Sequence, residues 1–466
     1  MALDSDDSVE RDALYQGYGT HYVDLWVGTP PQRQTVIVDT GSSVTAFPCM
    51  DCVNCGDTYH TDAYFQQDSS STFQDVSCQD CWLGQCMSSS SSVAACELSV
   101  SYQEGSSWRA LEVMDLVHAG GPHSSTNDND NEAIETNNHH TTFPFRFGCQ
   151  THLTGLFKTQ LADGIMGMEM AESSFWKQMH TAHPDLVPQS FSLCFGHAAM
   201  ATKEGSPAGL LHMGGTNPHL LHNTTMVYAH QPNHKGWFAV QIQAIYLRTG
   251  GGGGLSVLVD DTTTTTTDDN DDDNDDDDNK VHYHKIEASV SQLNNGQVIV
   301  DSGTTDTYLS SKMSGAFEKA WKQVTGRTFT NNAFTLSEEG LKALPTIVFQ
   351  LKGAVDNESL LQDPYAALVG GRQQQQGVVV DAKNPHDILV AMPSSHYMEY
   401  SMQHDVFKIR IYLNELHGGV LGANFMLGHD ILFDVENNRL GFAESDCDYD
   451  RVMNDLQQES PSDGSL

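Results

Sequence analysis

Basic residues are scarce in this chain. Twenty-three Lys and Arg stand against 61 Asp and Glu, a formal net charge of −38 with His neutral. A surface of that sign disfavours nucleic acid and anionic membranes and attracts cationic partners. Eleven of the acids sit in one tract, Asp260 to Asp278, and −27 remains without it. The 22 His residues would soften the imbalance by protonating in a mildly acidic compartment. Long apolar runs are missing too. None reaches the length of a membrane-spanning helix. No cationic start followed by an apolar stretch marks a signal peptide, because the opening residues are acidic and polar. No clear prosegment stands out. Helical periodicity is rare. The best case is Met313, Phe317, Ala320, Trp321 and Val324, preceded by Ser310–Ser311 and stopped by Gly326.

What is present is mostly short β pattern. "HYVDLWVG" alternates apolar and polar residues until "TPPQ" breaks it; "ELSVSY", "ALEVMDLV", "FPFRFG", "TIVFQL", "KIRIYL" and "ILFDV" are of the same kind. The ordinary apolar content, 39%, and the length, 466 residues, allow two or three cores. Three segments look like solvated insertions: Ser124 to Thr142, Gly250 to Lys280 and the Gln run Arg372 to Gln376. None carries enough apolar surface to offset its ordering entropy. The Asp tract lacks the spaced Gly and terminal Glu of a dedicated calcium loop, so a spacer is the expectation.

There are ten Cys, seven of them between Cys49 and Cys96 and the rest at Cys149, Cys194 and Cys447. An even count with a dense cluster predicts a disulfide framework in an oxidising compartment. The competing reading is zinc, on the spacings Cys49-x2-Cys52-x2-Cys55 and Cys78-x2-Cys81. Seven is odd, so at least one cluster Cys pairs outside the cluster or stays free. Connectivity is left open. A secretory location is expected, with Asn223 and Asn357 as glycosylation sequons, and the chain is expected to be a fragment or a processed form whose targeting segment is not visible.

The strongest signal is a repeat. "VIVDTGSS" begins at Val36 and "VIVDSGTT" at Val298. Each is followed, 125 residues after Asp39 and 118 after Asp301, by two apolar residues framed by Gly: "GIMG" at Gly164 and "GVLG" at Gly419. The same elements in the same order are the imprint of two homologous lobes. In each, an Asp ends a buried strand. Gly41 or Gly303 permits a tight turn and a close approach, and Ser42–Ser43 or Thr304–Thr305 offers hydroxyls to hold the carboxylate. Two such turns on pseudo-symmetric lobes would bring Asp39 and Asp301 together across a cleft. Paired carboxyls share one proton, so one member takes a proton from water while the other donates to a carbonyl under attack. That chemistry requires no metal and no cofactor.

These motifs resemble those of the pepsin-like aspartic endopeptidases, over about residues 15 to 450. The resemblance implies a mainly β, bilobal pepsin-like aspartic protease fold. Its two pseudo-symmetric β lobes enclose a cleft covered by a β-hairpin flap. The expected division is 15–225 for the first lobe with a Cys-rich insert and flap, 226–450 for the second with the acidic insert, and 451–466 as a polar tail. By resemblance Asp39 and Asp301 are the catalytic pair, with Gly41, Ser42, Gly303 and Thr304 supporting them. "LSVSYQEGSSW" fits the flap, so Tyr102 and Glu104 are the substrate-binding candidates there, while Trp108 is either the Tyr102 partner or core. The Cys cluster, "YQEGS", "FGCQTHLTGLFKTQLADGIMG" and "GFAESDC" look most like the plasmepsin V and nepenthesin-like Cys-rich subgroup. Gln103 stands where that group often has Cys. The implied function is endoproteolysis of a polypeptide substrate by a monomer, without nucleic acid or a membrane span, and with cleavage after Arg in secreted proteins. The alternatives are a general nepenthesin-like acid protease and a catalytically inactive pepsin-like binding protein.

Overall fold

The repeat governs the strand pairing. In the computed structural model, Gln32–Asp39 runs parallel to Gly164–Gly167, with Val36 opposite Gly164 and Asp39 opposite Gly167. Val298–Val300 runs parallel to Gly419–Leu421, with Val298 opposite Gly419. The first Val of each Val-Ile-Val-Asp run therefore faces the first Gly of its partner. Each partner strand also pairs antiparallel with a residue just past its own Asp loop, Ile165 with Ala46 and Val420 with Tyr308. The structure describes residues 10–17, 19–87, 94–120, 142–196, 204–249, 282–354, 368–369, 384 and 386–459. The three insertions read from the sequence lie outside them, apart from Thr142.

The architecture is mainly β and two-lobed. A 15-stranded sheet carries most of the first half. Through Ser190–Phe195 it also takes in His429–Asp434 and Arg439–Glu444 from the second half, and beyond them Val227–His230. Two 5-stranded sheets make up most of the rest. Alternation in His21–Val27 buries His21, Val23, Leu25 and Val27 on one face, and Tyr22 is buried on the other. Val36, Ile37 and Val38 are all buried, because a strand parallel to its neighbour and covered on both faces has no solvent side. Aromatic rings join the halves. Phe433 stacks on Phe191 at 4.7 Å and meets Phe238 edge-on at 4.7 Å, and all three are buried. Burying each such ring contributes roughly 2–3 kcal/mol.

The helix expected from the periodicity spans Ser314–Thr325, behind a single 3-10 turn over Ser311–Met313. The Ser310 hydroxyl accepts from the Lys312 amide, and Gly326 ends the helix at φ 70°, a conformation that favours Gly. Phe317, Ala320 and Trp321 face the core.

All ten Cys pair, as Cys49–Cys149, Cys52–Cys55, Cys78–Cys86, Cys81–Cys96 and Cys194–Cys447. Cys49 is the cluster member that reaches out. No thiol remains for the zinc reading. Cys194–Cys447 closes a loop of 253 residues, worth about 5 kcal/mol in the chain-entropy account. The Cys-rich segment is also held by a buried carboxylate. Glu112 accepts the amides of Trp82, Leu83 and Gly84 at 2.9–3.1 Å and pairs with Arg146 at 2.8 Å.

Candidate active site

Both Asp loops are built the same way. Asp39 Oδ1 accepts the Gly41 amide at 2.9 Å and its Oδ2 accepts the Ser42 hydroxyl. Asp301 Oδ1 accepts the Gly303 amide at 2.9 Å and its Oδ2 accepts the Thr304 hydroxyl at 2.6 Å. Each carboxylate is thus fixed by one amide and one hydroxyl of its own loop, two and three residues on. Both are buried, at 4% and 8% exposure.

The loops meet through backbone. A Cβ built on Gly41 would lie 2.8 Å from Asp301 Oδ1, and one on Gly303 would run into Asp39 Oδ1. Only Gly leaves room for the opposite carboxylate at these two positions. The middle residue of each triplet locks the approach. Thr40 donates its amide to Ser302 Oγ at 3.0 Å, and Ser302 donates its amide to Thr40 Oγ1 at 3.0 Å. The same hydroxyls donate onward, Thr40 to the Val300 carbonyl at 2.9 Å and Ser302 to the Val38 carbonyl at 2.7 Å. All four bonds cross between lobes. The role of Thr40 and Ser302 escaped the sequence reading, although its signal was there: the second residue of both triplets carries a hydroxyl.

The electrostatics follow from this geometry. Burial pushes the Asp39 carboxyl well above the usual range, the neighbouring Asp301 charge raises it further, and the Ser42 and Gly41 hydrogen bonds oppose both.

Strands Ala95–Ser101 and Ser107–His118 form a hairpin whose Tyr102 lies beside Ser42 and Asp39. Its turn is closed by the Tyr102 amide on the Ser106 carbonyl at 2.8 Å and the Gly105 amide on the Tyr102 carbonyl at 3.1 Å. Gly105 takes φ 95°, which a side chain would strain. The Tyr102 ring packs on Phe157 at 5.1 Å, and its hydroxyl accepts from Trp108 Nε1 at 3.3 Å and meets Ser42. Burial and then the Asp39 charge push the phenol up, so it stays protonated. Trp108 is therefore a partner of Tyr102 and is also buried in the core. Glu104 is exposed at the turn and is not drawn onto the pair. Trp237, which the sequence reading did not single out, donates Nε1 to the Gly41 carbonyl at 2.9 Å while 44% exposed. Among the described residues no cluster of three or more His, Cys, Asp or Glu is arranged to hold a metal ion.

Comparison with known proteins gives a consistent picture. A family model described as "Xylanase inhibitor N-terminal" matches residues 21–215. Aspartic protease 5 of Toxoplasma gondii is 32% identical over 222 residues, covering 44% of this chain and 20% of that protein. Plasmepsin V of Plasmodium falciparum (isolate 3D7) is 24% identical over 462 residues, covering 92% of this chain and 72% of that protein. Aspartic proteinase-like protein 1 of Arabidopsis thaliana is 23% identical over 449 residues, covering 93% and 68%. The match therefore spans one fifth of the Toxoplasma relative and about seven tenths of the other two.

Proposed function

We propose that the chain is a pepsin-like aspartic protease of the Cys-rich kind, similar to plasmepsin V and plant aspartic proteinases, and an active endopeptidase using Asp39 and Asp301. The observation that carries this reading is the symmetric pair of loops. Each carboxylate is fixed by its own amide and hydroxyl and shielded from water, and the two are locked together by Thr40 and Ser302.

In the proposed reaction a water sits between the carboxyls. The ionised member removes its proton as oxygen attacks the peptide carbonyl, and the protonated member donates to the carbonyl oxygen. Sharing one proton is the general behaviour of aspartic protease pairs. Tyr102, neutral and held by Trp108, closes the cleft above Asp39 and limits solvent access. The Gly41 and Gly303 amides and the Ser42 and Thr304 hydroxyls take one bond on each carboxylate oxygen, and the remaining lone pairs are those that face the water and the shared proton.

The substrate is a polypeptide of a secretory, oxidising compartment, in keeping with five disulfides. The sequon residue Asn223 is exposed and open to glycosylation, while Asn357 lies outside the described residues. Among the described residues no helix is long and apolar enough to cross a membrane. Recognition of an Arg before the scissile bond would use Glu104 at the flap turn through a bidentate charged hydrogen bond, for which the exposed carboxylate has to turn toward the substrate. Digestion of an unbiased peptide library at mildly acidic pH tests this. Arg enrichment at the cleaved position, weakened in Glu104→Gln, is expected. Cleavage mainly between large apolar residues would return the chain to a general acid protease. No cleavage by folded protein would favour the inactive binding protein, the reading suggested by the "inhibitor" in the matching family's description.

A further inference from the structure

Just past the Gly-framed strand behind Asp39, Met170 and Gly236 form an isolated antiparallel bridge. Each donates its amide to the other's carbonyl at 2.8 Å. Such a doubly bonded pair sets the flanking residues opposite one another without hydrogen bonds, where side chains stand closest. Here that pair is Glu169 and Trp237. The burial pattern agrees, since Met170 and Phe238 point inward while Glu169 is half-buried and Trp237 is exposed.

Both residues are tied to the Asp39 loop. The Glu169 amide donates to the Ser42 carbonyl at 2.9 Å, and Trp237 Nε1 donates to the Gly41 carbonyl at 2.9 Å. The Glu169 carbonyl is fixed in turn by the Ser174 hydroxyl at 2.6 Å and by Trp176 Nε1 at 3.0 Å. The Trp237 ring edge is spent on Gly41, which leaves the rest of a large aromatic side chain open beside the Asp39 loop. The Ser43 hydroxyl favours the charged form of the Glu169 carboxylate against its burial, and no ion pair reaches that carboxylate among the described residues. A half-buried carboxylate without a cation, facing an open indole, offers the two attractions a basic side chain uses: a charged hydrogen bond and a cation–π contact.

We propose that Glu169 and Trp237 form a subsite for a Lys or Arg side chain of the bound polypeptide, separate from the flap turn. The subsite rests on the reading of the cleft as a polypeptide-binding site, but it does not require that the pair turn substrate over. The anchoring bonds make it rigid before substrate arrives, so little ordering cost is added on binding.

The test is calorimetric titration with peptides that carry a non-hydrolysable isostere of the scissile bond, with Lys or norleucine placed at each position in turn. At one position Lys is expected to bind about ten-fold or more tighter than norleucine. That ratio should fall to within about two-fold in Glu169→Gln and persist in Glu104→Gln. Overturning results are a wild-type protein that prefers Lys nowhere, a preference that survives Glu169→Gln, or one that is lost only in Glu104→Gln. If the preference holds while no cleavable peptide is turned over, the subsite stands and the hydrolytic reading fails.

Discussion

Replacing Ser302 by Ala probes the lock between the lobes. The Ser302 hydroxyl, 1% exposed, accepts the Thr40 amide at 3.0 Å and donates to the Val38 carbonyl at 2.7 Å. Ala removes both bonds at a site water does not reach. The Thr40 amide loses its partner and the Val38 carbonyl loses one donor. At 1–3 kcal/mol for a buried unpaired polar group, the variant should be destabilised by about 2–4 kcal/mol. Activity should suffer as well, because Val38 and Thr40 flank Asp39. A carboxylate displaced by an ångström costs on the order of 10²-fold in rate. Ser302→Thr should recover most of both losses, since Thr40 makes the symmetry-related bonds from the other loop. The assay is kcat/KM on a cleavable peptide beside the urea midpoint. Ser302→Ala with kcat/KM within about two-fold of wild type and an unchanged midpoint would refute the reasoning.

Glu112→Ala should cost about 3–5 kcal/mol, because it leaves three amides of the Cys-rich segment without their acceptor and removes the carboxylate partner of Arg146, which keeps only the Asp80 carbonyl; urea denaturation under oxidising conditions measures it. His21 is 3% exposed with neither ring nitrogen bonded, and burial lowers its pKa to about 4. The folded state therefore resists protonation, so its contribution to stability is intact above the unfolded value near 6.5 and is lost as pH falls toward 4. Wild-type protein should lose about 2 kcal/mol between pH 8 and pH 5 that His21→Phe does not lose, read from urea midpoints at the two pH values.

The sequence carried the fold class because the repeat is physical. The same Val-Ile-Val-Asp run needs the same Gly-framed neighbour, and the shared register of Val36 with Gly164 and Val298 with Gly419 repeats that need. The helix over Ser314–Thr325 was also readable, since its buried stripe and Gly stop are local. What could not be read depends on contacts distant in sequence. Thr40 and Ser302 are separated by 262 positions, and only the folded backbone shows that each hydroxyl serves the other loop. Cys49–Cys149 and Glu112 with the Trp82 amide are likewise long-range, one closing 100 residues and the other reaching back 30. The Met170–Gly236 bridge that sets Glu169 opposite Trp237 is a single pair, too short for any periodic signal. Glu104 came from a resemblance, and the flap turn leaves it facing solvent.

The central claim is that Asp39 and Asp301 act as one proton-sharing pair, and the kcat/KM of Asp301→Asn against pH tests it most directly. Wild-type activity should peak at mildly acidic pH and decline as rising pH strips the last proton. Burial and the facing charge carry that decline above the ordinary carboxylate range, because they raise the Asp39 carboxyl. Asn keeps the size of the side chain but cannot share the proton, so kcat/KM should fall by at least about 10³-fold at every pH, with circular dichroism unchanged. Activity within about ten-fold of wild type, or a wild-type profile still rising above neutral pH, would contradict the account.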